Sequence, residues 1–336
     1  MKILIYSSLF YPKIGGVETV VEILASTFTD FGHKVTLVCP TPVDSLNIKK
    51  FDFNVIHRPH FNQFIKLIQC CDVYFQASNL DLNGIWPMLF FRRRWLVLHH
   101  NFYSTLNKNL LKNFLRRICA KFATHISASQ YIAQHLFAPS FIIHNPYDND
   151  VFYETPNVPR DKELVFLGRL EAEKGVDVLI KALSVLKVQG LKPRLTIIGF
   201  GSQEQNLRNQ MRDLNLEIQI DFVGIKTGLE LARLLNAHKI LIVPSRYDEP
   251  FGVVALEGIA CGCIVVASEG GGLKEAIGPC GVTFPNENEE ALAECLIKFL
   301  SKPETMRRYR NNANQHLTRF KKRVVAETYL KLMSKK

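Results

Sequence analysis

Short apolar runs alternate with amphipathic segments along this chain, and the alternation begins twice. In the first half, 2–7, 34–39, 73–76, 96–99 and 126–128 are apolar runs of strand length, and 17–31 has the spacing of a helix that stops at Gly32. His144, Asn145, Pro146 and Tyr147, then Pro156, Asn157, Val158 and Pro159, break the pattern. It then resumes, with strands expected at 164–167, 195–198, 220–223, 240–243 and 263–267. Helices are expected at 176–187, at 229–235, onward from 252, at 289–300 and across 303–333. Apolar runs separated by helices specify parallel sheets covered by those helices. The expected architecture is α/β, with two similar Rossmann-like domains at 1–155 and 156–310 and a terminal helical segment at 311–336. A chain of 336 residues is long enough for both. Open sheets of this kind bind ligands beyond the C-terminal ends of their strands, and two facing domains would make the cleft between them the default site.

Composition narrows the class. Hydrophobic residues are 47% and charged residues 22%, the balance of a globular protein with real cores. The eight cysteines include no CxxC pair, so reduced, mostly buried thiols and a cytoplasmic setting are expected. The apolar N-terminal run ends at Pro12 without a small-residue cleavage site, which fits a first strand better than a signal peptide. No run approaches the roughly 20 apolar residues that span a bilayer. The net charge of +11 is unevenly spread: residues 1–150 carry 15 Lys and Arg against 9 Asp and Glu. Arg92, Arg93 and Arg94 form one cluster. Lys108, Lys112, Arg116, Arg117 and Lys121 form another, interleaved with Leu110, Leu111, Phe114, Leu115 and Ile118. A helix with this pattern suits an anionic membrane surface and would place the chain peripherally on the inner face of the plasma membrane. A plain solvated helix face has the same pattern. No nucleic-acid-binding motif accompanies the charge, so nucleic acid is not an expected partner.

The informative motifs each follow an expected strand. Gly15 and Gly16 follow the first strand and precede a helix, as an anion-binding loop or a plain turn would. Gly168 and Arg169 end the strand 164–167, with Lys174 and Gly175 just beyond; two cations at a strand end suit a diphosphate, or are solvated surface charges. Gly199, Phe200 and Gly201 begin like a dinucleotide fingerprint but continue Ser202, Gln203 and Glu204, which leaves a tight turn. Asp148, Asn149 and Asp150 have DxD spacing, yet sit in the linker as turn formers; no other cluster has metal-ligand spacing, so no metal is expected. His99 and His100 end the strand at 96–99, where a histidine can serve acid–base chemistry or simply pack.

The stretch DEPFGVVALEG, residues 248–258, carries the most information. A loop with Glu249 leads into a helix beginning near Phe251 and Gly252, where the N–H groups of Gly252 and Val253 have no helical partner and form an anion site. Glu257 lies inside an apolar helical run, about 8 Å from Gly252 at the helical rise. A buried carboxylate needs a polar partner, and carboxylates suit hydroxyls. Two acids flanking an anion site match a sugar, a diphosphate and a ribose in that order.

E-P-F-G-V-V-A-L-E resembles the E-x7-E motif of the family 4 glycosyltransferases, retaining enzymes of the GT-B fold. The likeness covers nearly the whole chain. It takes in Gly15-Gly16, Gly32-His33-Lys34-Val35, Asn145-Pro146, Gly168-Arg169-Leu170 with Lys174-Gly175, and Gly199-Phe200-Gly201. Beyond these it takes in Phe222-Val223-Gly224, Pro244-Ser245, and Gly270-Gly271-Gly272 with Glu275. The resemblance implies that Arg169 and Lys174 neutralise the diphosphate of a nucleotide-sugar donor, with Gly168, Phe251, Gly252 and Val253 beside it. Glu257 would bind the ribose, Glu249 the transferred sugar, and Val223, Gly224 and Lys226 would pass the base. The family's N-domain histidine corresponds to His99, or to His100 after a one-residue slip, and Gly16 would lie near the diphosphate or the acceptor. The resemblance further implies a metal-independent hexosyltransferase with no cofactor besides its donor, a UDP-sugar being favoured over a GDP-sugar. Its acceptor would be a glycan or a lipid-linked acceptor in cell-surface polysaccharide or glycolipid synthesis, and its last helix, near 324–332, would return to the first domain. The alternative readings are a non-catalytic nucleotide-sugar-binding partner subunit or a GT-B nucleotide-sugar epimerase.

Overall fold

The computed structural model describes residues 1–13, 15–42, 49–80, 84, 91–101 and 116–335. Its strands form two wholly parallel sheets. The first contains β1 (Lys2–Tyr6), β2 (Lys34–Cys39), β3 (Asn54–His57), β4 (Val73–Gln76), β5 (Arg94–His99), β6 (Thr124–Ser127) and β7 (Ser140–Ile142). The second contains β8 (Lys162–Leu167), β9 (Leu195–Ile198), β10 (Ile220–Phe222), β11 (His238–Val243), β12 (Ile264–Ser268) and β13 (Gly281–Phe284). The orders are β3-β2-β1-β4-β5-β6-β7 and β10-β9-β8-β11-β12-β13. Each sheet therefore lays three strands outward one way, returns to its middle, and continues the other way. The reversals fall between β1 and β4 and between β8 and β11, the points where doubly wound sheets open a crevice at their C-terminal edge.

Every expected strand is present, and three more appear. β3, β7 and β13 are edge strands in which most residues are partly or fully exposed, so none writes a buried apolar run into the sequence. The central strands are buried on both faces. In β8, β11 and β12, Leu164, Phe166, Ile240, Ile242, Ile264 and Val266 enter one core, while Val165, Leu241, Val243, Val265 and Ala267 enter the other.

The chain divides into Met1–Pro146 with Lys321–Lys336, and Tyr147–Phe320. These limits correct the expected breaks at 155/156 and 310/311. Tyr147 and Phe152 are buried in a core of the second domain, together with Leu317 and Phe320, and the Tyr147 N–H donates to the Phe320 carbonyl at 3.2 Å. The helix Lys322–Ser334 belongs to the first domain. Its Tyr329 ring packs 6.3 Å from Phe28 and 5.5 Å from Phe75, and Arg94 donates to the Leu332 carbonyl at 2.6 Å. All eight cysteines are free thiols, six of them buried. Among the described residues no helix is long and apolar enough to cross a membrane.

Tyr329 is fully buried, and its hydroxyl has no hydrogen-bond partner among the described residues. An unpaired buried hydroxyl costs about 1–3 kcal/mol. Tyr329→Phe should therefore raise the unfolding free energy by about 1 kcal/mol in urea denaturation; a loss of stability would show that the hydroxyl is satisfied.

Candidate functional site

The second domain gathers its candidate residues at the C-terminal ends of β8 and β11, the two strands that flank its reversal of order. After β8, Gly168 and Arg169 lead into a short 3-10 turn, Ala172–Lys174, and Gly175 at φ 66° starts the helix Val176–Val188. A Cβ on Gly175 would lie 1.9 Å from the Pro244 carbonyl oxygen, so only glycine lets this turn seat on the end of β11. The two loops are also stapled together. Arg246 N–H donates to the Glu173 carbonyl at 2.9 Å, and its guanidinium pairs with Asp177.

That seating brings Lys174 to Glu249. The Lys174 ammonium donates to Glu249 Oε1 at 2.6 Å and to the Tyr247 hydroxyl at 3.0 Å. Ser245 donates to Oε1 at 2.6 Å, and Tyr247 donates to Oε2 at 2.7 Å. Burial, reinforced by the charge of Glu249, pushes the Tyr247 phenol far above its ordinary range. The backbone of Glu249 is fixed as well: its carbonyl accepts from Gly272 N–H at 2.7 Å, and the residue bridges to Gly271. Arg169 pairs instead with Glu173 at 2.6 Å. Both side chains are about half exposed, so the pair holds the guanidinium only weakly.

Gly252, at φ 95°, caps the helix Val253–Ala260. A Cβ there would come within 2.5 Å of the Leu273 side chain. One turn into the helix, Glu257 is buried, and no side chain among the described residues donates to it. Burial first, then the charge of Asp148, raises its carboxyl to about 8. Phe251 differs from expectation. Its ring is buried 5.7 Å from Phe320 in the core, so its side chain serves packing. At the neighbouring strand ends, Val223 N–H donates to the Ile197 carbonyl, Gly199 N–H donates to the Gly224 carbonyl, and Lys226 pairs with Glu230. Asp148, Asn149 and Asp150 form a turn in which the Val151 and Phe152 N–H groups donate to the Asp148 carbonyl.

In the first domain, Gly15 caps the helix Gly16–Asp30, and its extended φ of −173° is open to any residue. His99 and His100 end β5 in different surroundings. His125 uses Nε2 to donate to the Ala120 carbonyl at 2.9 Å, so its Nδ1 accepts from His99 Nε2 at 2.8 Å. Burial and the neighbouring imidazoles hold His99 well below its ordinary value. His100 is also buried and is lowered to about 4, the Ala77 carbonyl pulling partly the other way. Its Nε2 has no partner among the described residues. Of the basic helix, Arg116, Arg117 and Lys121 are described, while Lys108 and Lys112 lie outside the described residues. Sequence reasoning includes Ser245 in the resemblance but gives it no role, and it does not single out Tyr247 or His125; Ser245 and Tyr247 stand four and two positions before Glu249, in the same loop.

Residues 150–316 match the family model described as Glycosyl transferases group 1. Over 158 residues the chain is 39% identical to the glycogen synthase of Mycobacterium tuberculosis, an alignment spanning 46% of this chain and 38% of that protein. An uncharacterized glycosyltransferase of Methanocaldococcus jannaschii is 26% identical over 95% of this chain and 94% of its own. Among solved structures, Anabaena Alr3699/HepE in complex with UDP and glucose superposes with a TM-score of 0.83 at 19% identity, over 100% of both chains. The two Rossmann-like domains are thus those of the GT-B fold.

Glu257 offers a test that needs no ligand. Its folded-state value, about 8, lies above the ordinary 4.5, so the folded protein holds the proton more tightly than the unfolded chain. Its contribution to stability is full below the ordinary value and is lost as pH rises through about 8. Between about pH 6 and pH 9, Glu257→Gln should gain about 2 kcal/mol relative to the parent in urea titrations; parallel pH profiles would refute a buried, unpaired carboxyl.

Proposed function

We propose that this chain, whose second domain carries a group 1 glycosyltransferase domain, transfers a hexose with retention from a nucleoside diphosphate sugar to a glycan or lipid-linked acceptor in cell-surface polysaccharide or glycolipid synthesis. It does so as a family 4 enzyme and without a metal. The observation that carries this reading is the meeting of Lys174 and Glu249 across the reversal of the second sheet, with the helix start at Gly252 and the buried Glu257 beside it. Arg169 and Lys174 take the diphosphate, aided by the Gly252 and Val253 amides. Glu249 accepts from hydroxyls of the transferred sugar, and Glu257 accepts from the ribose. The base passes Val223, Gly224 and Lys226. The UDP bound by the Anabaena structure supports a uridine nucleotide.

In the reaction, the bond between the sugar C1 and the diphosphate oxygen breaks, and its electron pair leaves with the diphosphate. Arg169, Lys174 and the helix N-terminus hold that growing charge. The acceptor hydroxyl forms its bond to C1 on the face the diphosphate leaves, and its proton passes to the departing phosphate. His100 is the site histidine of this reading, because its Nε2 is unpartnered among the described residues while the Nε2 of His99 is bound to His125. Arg117, Ile118, Lys121 and Phe122 are exposed together and supply a basic, apolar contact for the headgroup layer of a membrane carrying the acceptor.

A thermal-shift screen against UDP, GDP, ADP and their sugar conjugates, with and without magnesium, tests the donor site. One nucleotide family should stabilise the protein equally with and without metal, by about 2.7 kcal/mol at 100 times the dissociation constant. Glu257→Ala should weaken that nucleotide about tenfold, whereas Arg169→Ala should mainly lower turnover. Stabilisation by none of these ligands would overturn the proposal. Flotation with anionic liposomes at low salt should carry the protein upward, and failure to float would remove the membrane contact.

A further inference from the structure

We propose that Tyr247 is a positioning residue of the donor site, a fixed post that holds the Glu249 carboxylate when Lys174 turns from it to a phosphate. The inference rests on the donor reading above and extends it to a residue outside the shared motif. Lys174 is committed in the structure as it stands, with one N–H on Glu249 Oε1 and another on the Tyr247 hydroxyl. An ammonium that moves toward a diphosphate gives up at least the first of these. Glu249 then keeps one donor on each oxygen, Ser245 on Oε1 and Tyr247 on Oε2. Two donors on opposite oxygens fix the plane of a carboxylate, whereas Ser245 alone leaves it free to rotate about the side-chain bond.

Tyr247 is suited to this because it is itself held. The preceding residue is pinned by its N–H on the Glu173 carbonyl, its ion pair with Asp177, and Asn286 donating to its carbonyl at 3.3 Å. The Lys174 ammonium sits 4.9 Å from the Tyr247 ring centroid, a cation–π contact that survives removal of the hydroxyl. The hydroxyl also accepts from Lys174 while it donates to Glu249, so one group monitors both partners.

The test compares two ligands on Tyr247→Phe, which keeps the ring and removes the hydroxyl. By calorimetry, UDP should bind the variant within about twofold of the parent, because Lys174 and the phosphate site are intact. UDP-glucose, or whichever UDP-sugar stabilises the parent most, should weaken about tenfold, since only the sugar depends on the aim of Glu249. A merely structural tyrosine would weaken both ligands together, and that outcome overturns the proposal, as does equal binding of the sugar nucleotide by variant and parent. Should Tyr247→Phe unfold, 4-fluorophenylalanine at position 247, which fills the hydroxyl position but has no hydrogen to donate, must weaken the sugar nucleotide relative to UDP in the same way, and an unchanged ratio of the two affinities overturns the proposal. A parent that binds neither UDP nor any UDP-sugar overturns the donor reading itself, a result separable from failure at Tyr247 alone.

Discussion

A strand buried on both faces has no side left for a polar group. β8, β11 and β12 send alternate residues into two separate apolar cores, so the chain can place charge only where these strands end. The reversal of order between β8 and β11 then decides which ends matter, because the connections leave those two strands in opposite directions and open a gap between them. Lys174 and Glu249 are 75 positions apart and come within 2.6 Å across that gap. Gly175 makes the approach possible by letting its backbone press on the Pro244 carbonyl. The site is thus a consequence of sheet topology first and of individual side chains second.

Much of this architecture is legible in the order of residues. The expected strands lie where short apolar runs are bounded by glycine, proline or polar clusters, and Gly252 stands out at the start of an apolar helical run that Glu257 interrupts. Edge strands are not legible in this way. β3, β7 and β13 form by pairing along one side only, and their partial exposure leaves no run of buried residues to read. The domain limits escape for a related reason. The linker looks polar by composition, yet Tyr147 and Phe152 anchor its second part in the following core, and Leu317 and Phe320 do the same at the far end.

The candidate site shows the same division. Residue types announce the cations and the acids, but nothing in the sequence distinguishes two adjacent histidines. Their difference shows only in the fold: His125, 26 positions from His99, occupies the His99 Nε2, whereas the His100 Nε2 has no partner among the described residues. Tyr247 escapes notice because a tyrosine in a loop is unremarkable until its hydroxyl is seen between an ammonium and a carboxylate.

The return of the terminal helix has a consequence for the order in which the chain is made. Residues 1–146 are made before 147–320, but the domain they build also includes 321–336. The second domain, continuous from Tyr147 to Phe320, has all its residues available before the first one does. Until the last helix arrives, Phe28 and Phe75 lack the Tyr329 ring that packs against them. Of these two domains, the one whose first residues are made earlier is therefore the one whose residues are complete later.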